Sequence, residues 1–412
     1  MRYARFLLLG LLALAALAGR GDPAYAWTAP AALNTNAGSD SGADWWPQVT
    51  TDGAGNWVAV WESDEANVGG GIGTDKDILV SRSTDNGATW TAPAALNTNA
   101  SSDWGHDLNP QVTTDGAGNW VAVWYSYEAD VGGGIGWDDD ILVSRSTDNG
   151  TTWTAPAALN TNAGSDSVWD QLPQVTTDGA GNWVAVWICT EPYVGGCIGT
   201  DTDILVSRST DNGATWTAPA ALNTNAGSDS DFDTRPQVTS DGASNWVAVW
   251  TSGEANVGGG IGTDEDILVS RSTDNGATWT APEALNTNAG SDTGDDWQPQ
   301  VTTDGAGNWV AVWHSSETNV GGGIGTDGDI LYSTEGPTPT PAPTPTPTPT
   351  PTHTPAATPT LTPEALPEEL PPTGGEPASG DSASTLAIVL LAAAALGLAA
   401  VTGALAVRRQ RR

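Results

Sequence analysis

Carboxylates recur in this chain at a spacing that chemistry can use. Asp75 and Asp77 return as Asp138 and Asp140, then as Asp201/Asp203, Asp264/Asp266 and Asp327/Asp329, each pair just ahead of an apolar run. Glu65, Glu128, Glu191, Glu254 and Glu317 recur on the same ruler. Paired carboxylate oxygens are ligands for a hard cation such as Ca²⁺, or else they cap a turn and the strand behind it; both readings stand on the sequence. Between the repeated stretches lie segments that differ from copy to copy, carrying Trp45 and Trp46, Trp104 and His106, Trp169, Arg235, and Trp297. Exposed rings stack on pyranose faces while amides and carboxylates accept sugar hydroxyls, so these residues are the expected ligand-binding set. The other reading is that such loops vary because nothing constrains them and that their tryptophans cover edges of the repeat.

The elements that position these residues are set by one repeat. Ser83 to Trp90 reads Ser-Thr-Asp-Asn-Gly-Ala-Thr-Trp and returns at Ser146, Ser209 and Ser272, 63 residues apart. A second stretch, PQVTTDGAGNWVAVW from Pro47, begins again at Pro110, Pro173, Pro236 and Pro299, with small changes. Within a copy four short strands are expected: Pro47 to Thr51, Trp57 to Glu62, Ile78 to Ser83, and a fourth reaching Ala94 to Asn97. They are punctuated by Asp52 to Asn56, by the Gly-rich loop at Gly69 to Gly73, and by Asp85-Asn86-Gly87. The second strand is apolar on both faces, so the unit cannot bury itself alone and must stack on neighbours. The expected fold is all-β: a five-bladed propeller of four-stranded blades over residues 27–335. The last copy stops at Gly336 without a fourth strand, and the orphan strand from Trp27 is expected to supply it and close the ring.

At this point Ser-x-Asp-x-Gly-x-Thr-Trp resembles the Asp-box of the sialidase superfamily, the bacterial neuraminidase repeat. The resemblance implies a β-propeller in which Asp85, Asp148, Asp211 and Asp274 are structural: they accept backbone hydrogen bonds across the turn, Gly87 takes positive φ, and Trp90 packs between blades. It also implies what an enzyme of the family needs, namely a tyrosine nucleophile with a glutamate, an aspartate acid/base and three arginines on the substrate carboxylate. That set is incomplete here. Arg82, Arg145, Arg208 and Arg271 occupy one repeated position, only Arg235 is unique to its copy, and Tyr125, Tyr127 and Tyr193, with Glu128, are what remains of an enzyme case. The expectation leans to no catalytic residue: a non-catalytic binding or adhesion module for a glycan or surface protein. An exported exo-sialidase-type glycosidase and a display or spacer module are the alternatives.

Composition excludes one class of partner. With 49 Asp+Glu against 13 Lys+Arg, a net charge of −36, the chain offers no basic surface for nucleic acid. Residues 1–26 have a basic start, an apolar run and a small-x-small site, as a secretory signal peptide does. Residues 336–384 are a Pro/Thr-rich stalk, expected to be disordered and extended. Leu370-Pro371-Pro372-Thr373-Gly374 within it resembles an LPxTG sorting signal for a sortase. Residues 385–407 are uncharged and long enough for one transmembrane helix, and 408–412 form a basic tail expected to be cytoplasmic. The chain is thus expected to be exported and anchored by its C-terminus to cell wall or membrane. Cys189 and Cys197, both in the third copy of an exported chain, are expected to pair as a local disulfide rather than hold a metal.

Overall fold

The computed structural model describes residues 27–336, apart from 191–196, 200, 319, 321 and 322. The chain divides into two units, Met1–Thr340 and Pro341–Arg412, and all described residues lie in the first. The signal peptide, stalk, sorting signal and membrane span read from the sequence lie outside them. Among the described residues no helix is long and apolar enough to cross a membrane.

Five antiparallel sheets follow one another along the chain. The first is β1 (Asp44–Thr51), β2 (Trp57–Ser63), β3 (Asp77–Ser83) and β4 (Ala94–Ala95), in that order. The second is β5 (Asp107–Thr114), β6 (Trp120–Ser126), β7 (Asp140–Ser146) and β8 (Ala157–Ala158), and the third β9 (Trp169–Thr177), β10 (Trp183–Thr190), β11 (Asp203–Ser209) and β12 (Ala220–Ala221). The fourth is β13 (Asp233–Ser240), β14 (Trp246–Ser252), β15 (Asp266–Ser272) and β16 (Glu283–Ala284); the fifth has only β17 (Asp296–Thr303), β18 (Trp309–Ser315) and β19 (Asp329–Glu335). This is a repeated meander of the propeller kind, with each sheet a blade.

The fourth strand is shorter than the sequence implies. Pro93 has no N–H for the ladder, and side chains do the joining instead. Ser81 Oγ donates to Thr91 O (2.7 Å), Arg82 N donates to Thr91 Oγ1 (3.1 Å), and Ile78 N donates to Asn97 Oδ1 (3.1 Å).

Both faces of a blade are apolar because each meets a neighbour. Val58, Val60, Ile78 and Val80 of the first blade pack on Trp120, Ala122, Trp124 and Leu142 of the second. Val121, Val123, Ile141 and Val143 then meet Trp183, Ala185, Trp187 and Leu205 of the third. The pattern ends abruptly at the fifth blade, where Val310, Val312, Ile330 and Tyr332 are 39%, 37%, 70% and 72% exposed.

The expected closing strand is absent, and the sheets do not close into a ring. Among the described residues no strand precedes Asp44, and Trp27 is fully exposed. Local hydrogen bonds explain this. Asn34 Nδ2 donates to Asp44 (2.8 Å) and Asp40 (3.2 Å), just as Asn223 donates to Asp233 (2.8 Å) and Asp229 (3.3 Å) where the third blade hands over to the fourth. The N-terminal segment therefore lies against the first blade, with Leu33 packed on the cluster that holds Trp61, and not against β19. The missing fourth strand leaves a cavity of about 290 Å³ between Arg271, Glu283, Trp309 and Glu335.

The Asp-box turns are also joints between blades. Gly150 has φ +73°, and a Cβ there would stand 2.7 Å from Val58 of the preceding blade; Gly213 and Gly276 stand likewise against Val121 and Val184. Gly87, with φ +80° and no blade before it, meets only Trp90 at 3.9 Å. Gly87→Ala is thus expected to cost about 1 kcal/mol of backbone strain, and Gly150→Ala a further ~1–3 kcal/mol of overpacking. Urea midpoints of the two variants measure the difference, and equal midpoints would contradict the contact.

Candidate functional site

One rim of the array holds the Asp-boxes. Ser83 Oγ and Thr89 Oγ1 donate to Asp85 (2.7 and 2.6 Å), Thr89 N donates to it at 2.9 Å, and Asn86 N reaches Gly55 O of the neighbouring turn at 3.2 Å. The Thr89 and Ser83 hydroxyls and the Thr89 amide hold the Asp85 carboxyl down at about 2. Asp148, Asp211 and Asp274 repeat these bonds. These carboxylates are engaged by the hydroxyls and amide of their own turn, which holds them in the ionised form.

The opposite rim is built by the repeated glutamates. Glu65 Oε2 accepts from Ser41 N (2.7 Å) and Gly42 N (2.8 Å), while Oε1 accepts from Asn67 N (3.1 Å). Glu128 does the same for Trp104 N (3.3 Å), Gly105 N (3.4 Å) and Asp130 N (3.2 Å). Glu65, Glu128 and Glu254 each staple the variable segment entering their blade to the Gly-rich loop of that blade; Glu191 lies outside the described residues. The backbone that carries the variable side chains is thereby tied to the blade it enters.

In the second blade this staple gathers three exposed rings. Trp104, from the variable segment, lies 5.2 Å from Trp137 of the Gly-rich loop and 6.1 Å, edge-on, from Tyr127 beyond β6. They are 48%, 67% and 39% exposed. Trp104 was in the expected set, but Trp137 and Tyr127 were not. The signal was present: Trp137 stands where other copies have Thr74, Thr200, Thr263 and Thr326, and Tyr127 where they have Asp64, Thr190, Gly253 and Ser316.

The other expected residues are not brought together with this group. Trp45 lies under the Lys76 ammonium, 4.1 Å from its ring centre, and Lys76 in turn pairs with buried Glu62 at 2.8 Å. His106 Nδ1 accepts from Lys76 N (3.0 Å), Trp297 stacks on His314 at 5.3 Å, and Trp169 is exposed at the start of its blade. Trp46 and Arg235 are exposed and occupy one repeated place with Asn109, Leu172 and Gln298, a bulge in the first strand of each blade with φ between +50° and +55°. Bulges re-aim side chains, so five different residues leave equivalent strands at the same strained point. Cys189 and Cys197 are joined by a disulfide with their Cα atoms 5.6 Å apart. The expected metal candidates Asp75 and Asp77 are joined by Asp103, and Asp138 and Asp140 by Asp166.

Several of the groups that the sialidase resemblance would use in catalysis are engaged elsewhere, and Tyr193 lies outside the described residues. Arg82 and Arg145 each donate to a backbone carbonyl in the next blade's Asp-box, Asn149 O (3.4 Å) and Asn212 O (3.3 Å), and Arg271 is paired with Glu335 and Glu283. Burial, followed by the Asp139 and Glu62 carboxylates, pushes the Tyr125 phenol up to about 12, the wrong direction for a nucleophile.

The family model described as BNR repeat-like domain matches residues 55–295. This chain belongs to the BNR repeat-like domain family. Solved structures similar to this BNR repeat-like protein are found at low identity. A protein of unknown function from Dyadobacter fermentans is 17% identical over 66% of this chain and 78% of that one, with a TM-score of 0.42. The GH93 α-L-arabinofuranosidase of Fusarium graminearum is 16% identical over 66% and 77%, with a TM-score of 0.41. The intramolecular trans-sialidase from Ruminococcus gnavus is 12% identical over 70% and 83%, with a TM-score of 0.39. No curated protein matches the chain. Membership of the BNR repeat-like family rests on the repeat itself.

Proposed function

We propose that this protein is an exported, C-terminally anchored binding module that takes a glycan on the rings of Trp104, Tyr127 and Trp137 and does not hydrolyse it. The observation that carries this reading is the grouping of three exposed aromatic side chains on one blade, held by the Glu128 staple. Exposed rings of this size lose free energy to water, and sugar faces cover them with little ordering cost because the rings are already fixed. Glu128 itself, 3% exposed, serves the staple rather than the ligand. The stalk and sorting signal would display this rim away from the cell, with a sortase or the apolar span supplying the anchor.

Glycan-array binding by the full chain tests the reading, with Trp137→Ala as the discriminating variant. Loss of one stacked ring is expected to weaken binding by about 10-fold or more. Trp169→Ala, in another blade and outside the ring group, is expected to leave it unchanged. Equal loss in both variants would remove the platform from the account, and release of a fluorescent aglycone from a sialoside would replace the binding reading by the hydrolase one.

A further inference from the structure

Each joint between successive blades gathers three carboxylates, and the ion pairs among the described residues do not include them. Where the second blade meets the third, Asp138 and Asp140, ahead of β7, meet Asp166 from the loop that follows β8, one oxygen of each lying within 4.8 Å of the others. Asp140 is fully buried and Asp138 is 6% exposed. Asn160 Nδ2 donates to Asp140 Oδ1 at 2.7 Å, which leaves Oδ2 of Asp140, Oδ2 of Asp138 and Oδ1 of Asp166 buried and without a donor. The amide oxygen of Asn162, whose Nδ2 donates to Asp166, is buried and undonated too. The same four atoms are left over one joint earlier, at Asp75, Asp77, Asp103 and Asn99.

Burying one acceptor without a donor costs about 1–3 kcal/mol, and more when it is charged. Repeating the same omission from joint to joint therefore points to a missing positive partner. The ion pairs among the described residues lie elsewhere, at Lys76–Glu62 and at Arg271. We propose that each of the four joints holds one Ca²⁺, taken between the Asp-x-Asp pair of one blade and the Asn and Asp of the loop that leads into the next. An all-oxygen set of carboxylates and an amide carbonyl suits Ca²⁺, which accepts irregular geometry from several protein oxygens; Mg²⁺ prefers a strict octahedron and keeps its waters. The fifth pair, Asp327 and Asp329, has no such loop after it, because β19 runs into Gly336 and the Pro/Thr stretch. The ions would act as rivets, binding consecutive blades into one stiff body.

The test is calorimetric titration of the full chain with Ca²⁺ after chelation, together with thermal melting. Uptake of four ions is expected, with a higher melting temperature on loading. Asp140→Asn is expected to reduce uptake to three, while Asp327→Asn leaves it at four. Asn at this position keeps an oxygen to accept from Asn160 and cannot ionise, so the variant folds at least as well as the parent without calcium. No uptake at about 10 mM Ca²⁺, above the range of weak extracellular sites, would overturn the proposal. So would binding of Mg²⁺ but not Ca²⁺, or an Asp140→Asn protein that still takes four.

Discussion

Freed of divalent ions, the chain is expected to melt at a lower temperature at pH 8 than at pH 5. Burial, opposed by the Asn97 hydrogen bond and reinforced by the charges of Asp103 and Asp75, raises Asp77 to about 8. Burial, opposed by Asn160 and reinforced by Asp138, Asp166 and Asp170, raises Asp140 to about 9, while Asp203 and Asp266 are raised to about 7 by the same cause. A carboxyl with a raised folded pKa binds more protons folded than unfolded, so the folded state is favoured most below the unfolded value of 3.8 and loses ground as pH climbs through the folded one. The window of loss runs from about 4 to about 9. The Asp-box carboxyls act in the other sense. Held down to about 2, Asp85 and Asp148 contribute above 3.8 and lose that contribution as pH falls towards 2; being exposed, they contribute little. The melting temperature should therefore peak in mild acid and fall by about 5 °C or more at pH 8. Saturating Ca²⁺ should abolish the fall by neutralising the ionised clusters. Melts across pH in chelator and in calcium decide it; a melting temperature that rises steadily to pH 8 in chelator would show that the clusters are not short of positive charge.

Trp183→Ala is expected to destabilise the array by about 3–5 kcal/mol, and Trp57→Ala by about 1 kcal/mol, although the two tryptophans occupy the same place in their copies. Trp183 is fully buried against Val121, Val123 and Ile141 of the blade before it. Truncation there leaves a cavity that two sheets would have to shift to fill. Trp57 lies on the face of the first blade that has no blade before it and is only half-buried. Chemical unfolding of both variants gives the comparison. Similar losses would mean that the first blade's face is covered in solution, by the fifth blade or by another molecule.

Much of this architecture was legible from one ruler. The 63-residue spacing of Ser83, Ser146, Ser209 and Ser272 gave the blades, and the turn residues gave their strands in order. What the ruler could not tell was which edge an orphan segment would choose. The stretch from Trp27 is equivalent to strands that follow β3 or β7, so closing the last blade was the natural expectation. The choice belongs to Asn34, whose amide finds Asp44 and Asp40 in its own vicinity before any partner at β19. The joint clusters were half visible for a similar reason. Asp75 and Asp77 are neighbours in sequence, whereas Asp103 reaches them only because the loop after β4 folds back over β3 on its way to the next blade. Trp137 was not legible as a site residue because it replaces a threonine inside a repeated stretch, and Tyr127, read from the sequence as part of an enzyme case, joins the ring group only through the fold.

Every joint in the array is built from the same residues, one copy further on. Removal of any 63 consecutive residues within it, the distance from Ser83 to Ser146, would rejoin a chain in which all surviving joints are complete. Duplication would do the same in the other direction. Length is therefore a quantity this protein can change by whole units without redesign, by recombination between copies that are nearly identical. An event beyond the second blade would move the Trp104 rings one blade nearer to, or farther from, β19. The separation of the Trp104 rings from the last blade, rather than the rings themselves, is what the repetition leaves free to vary.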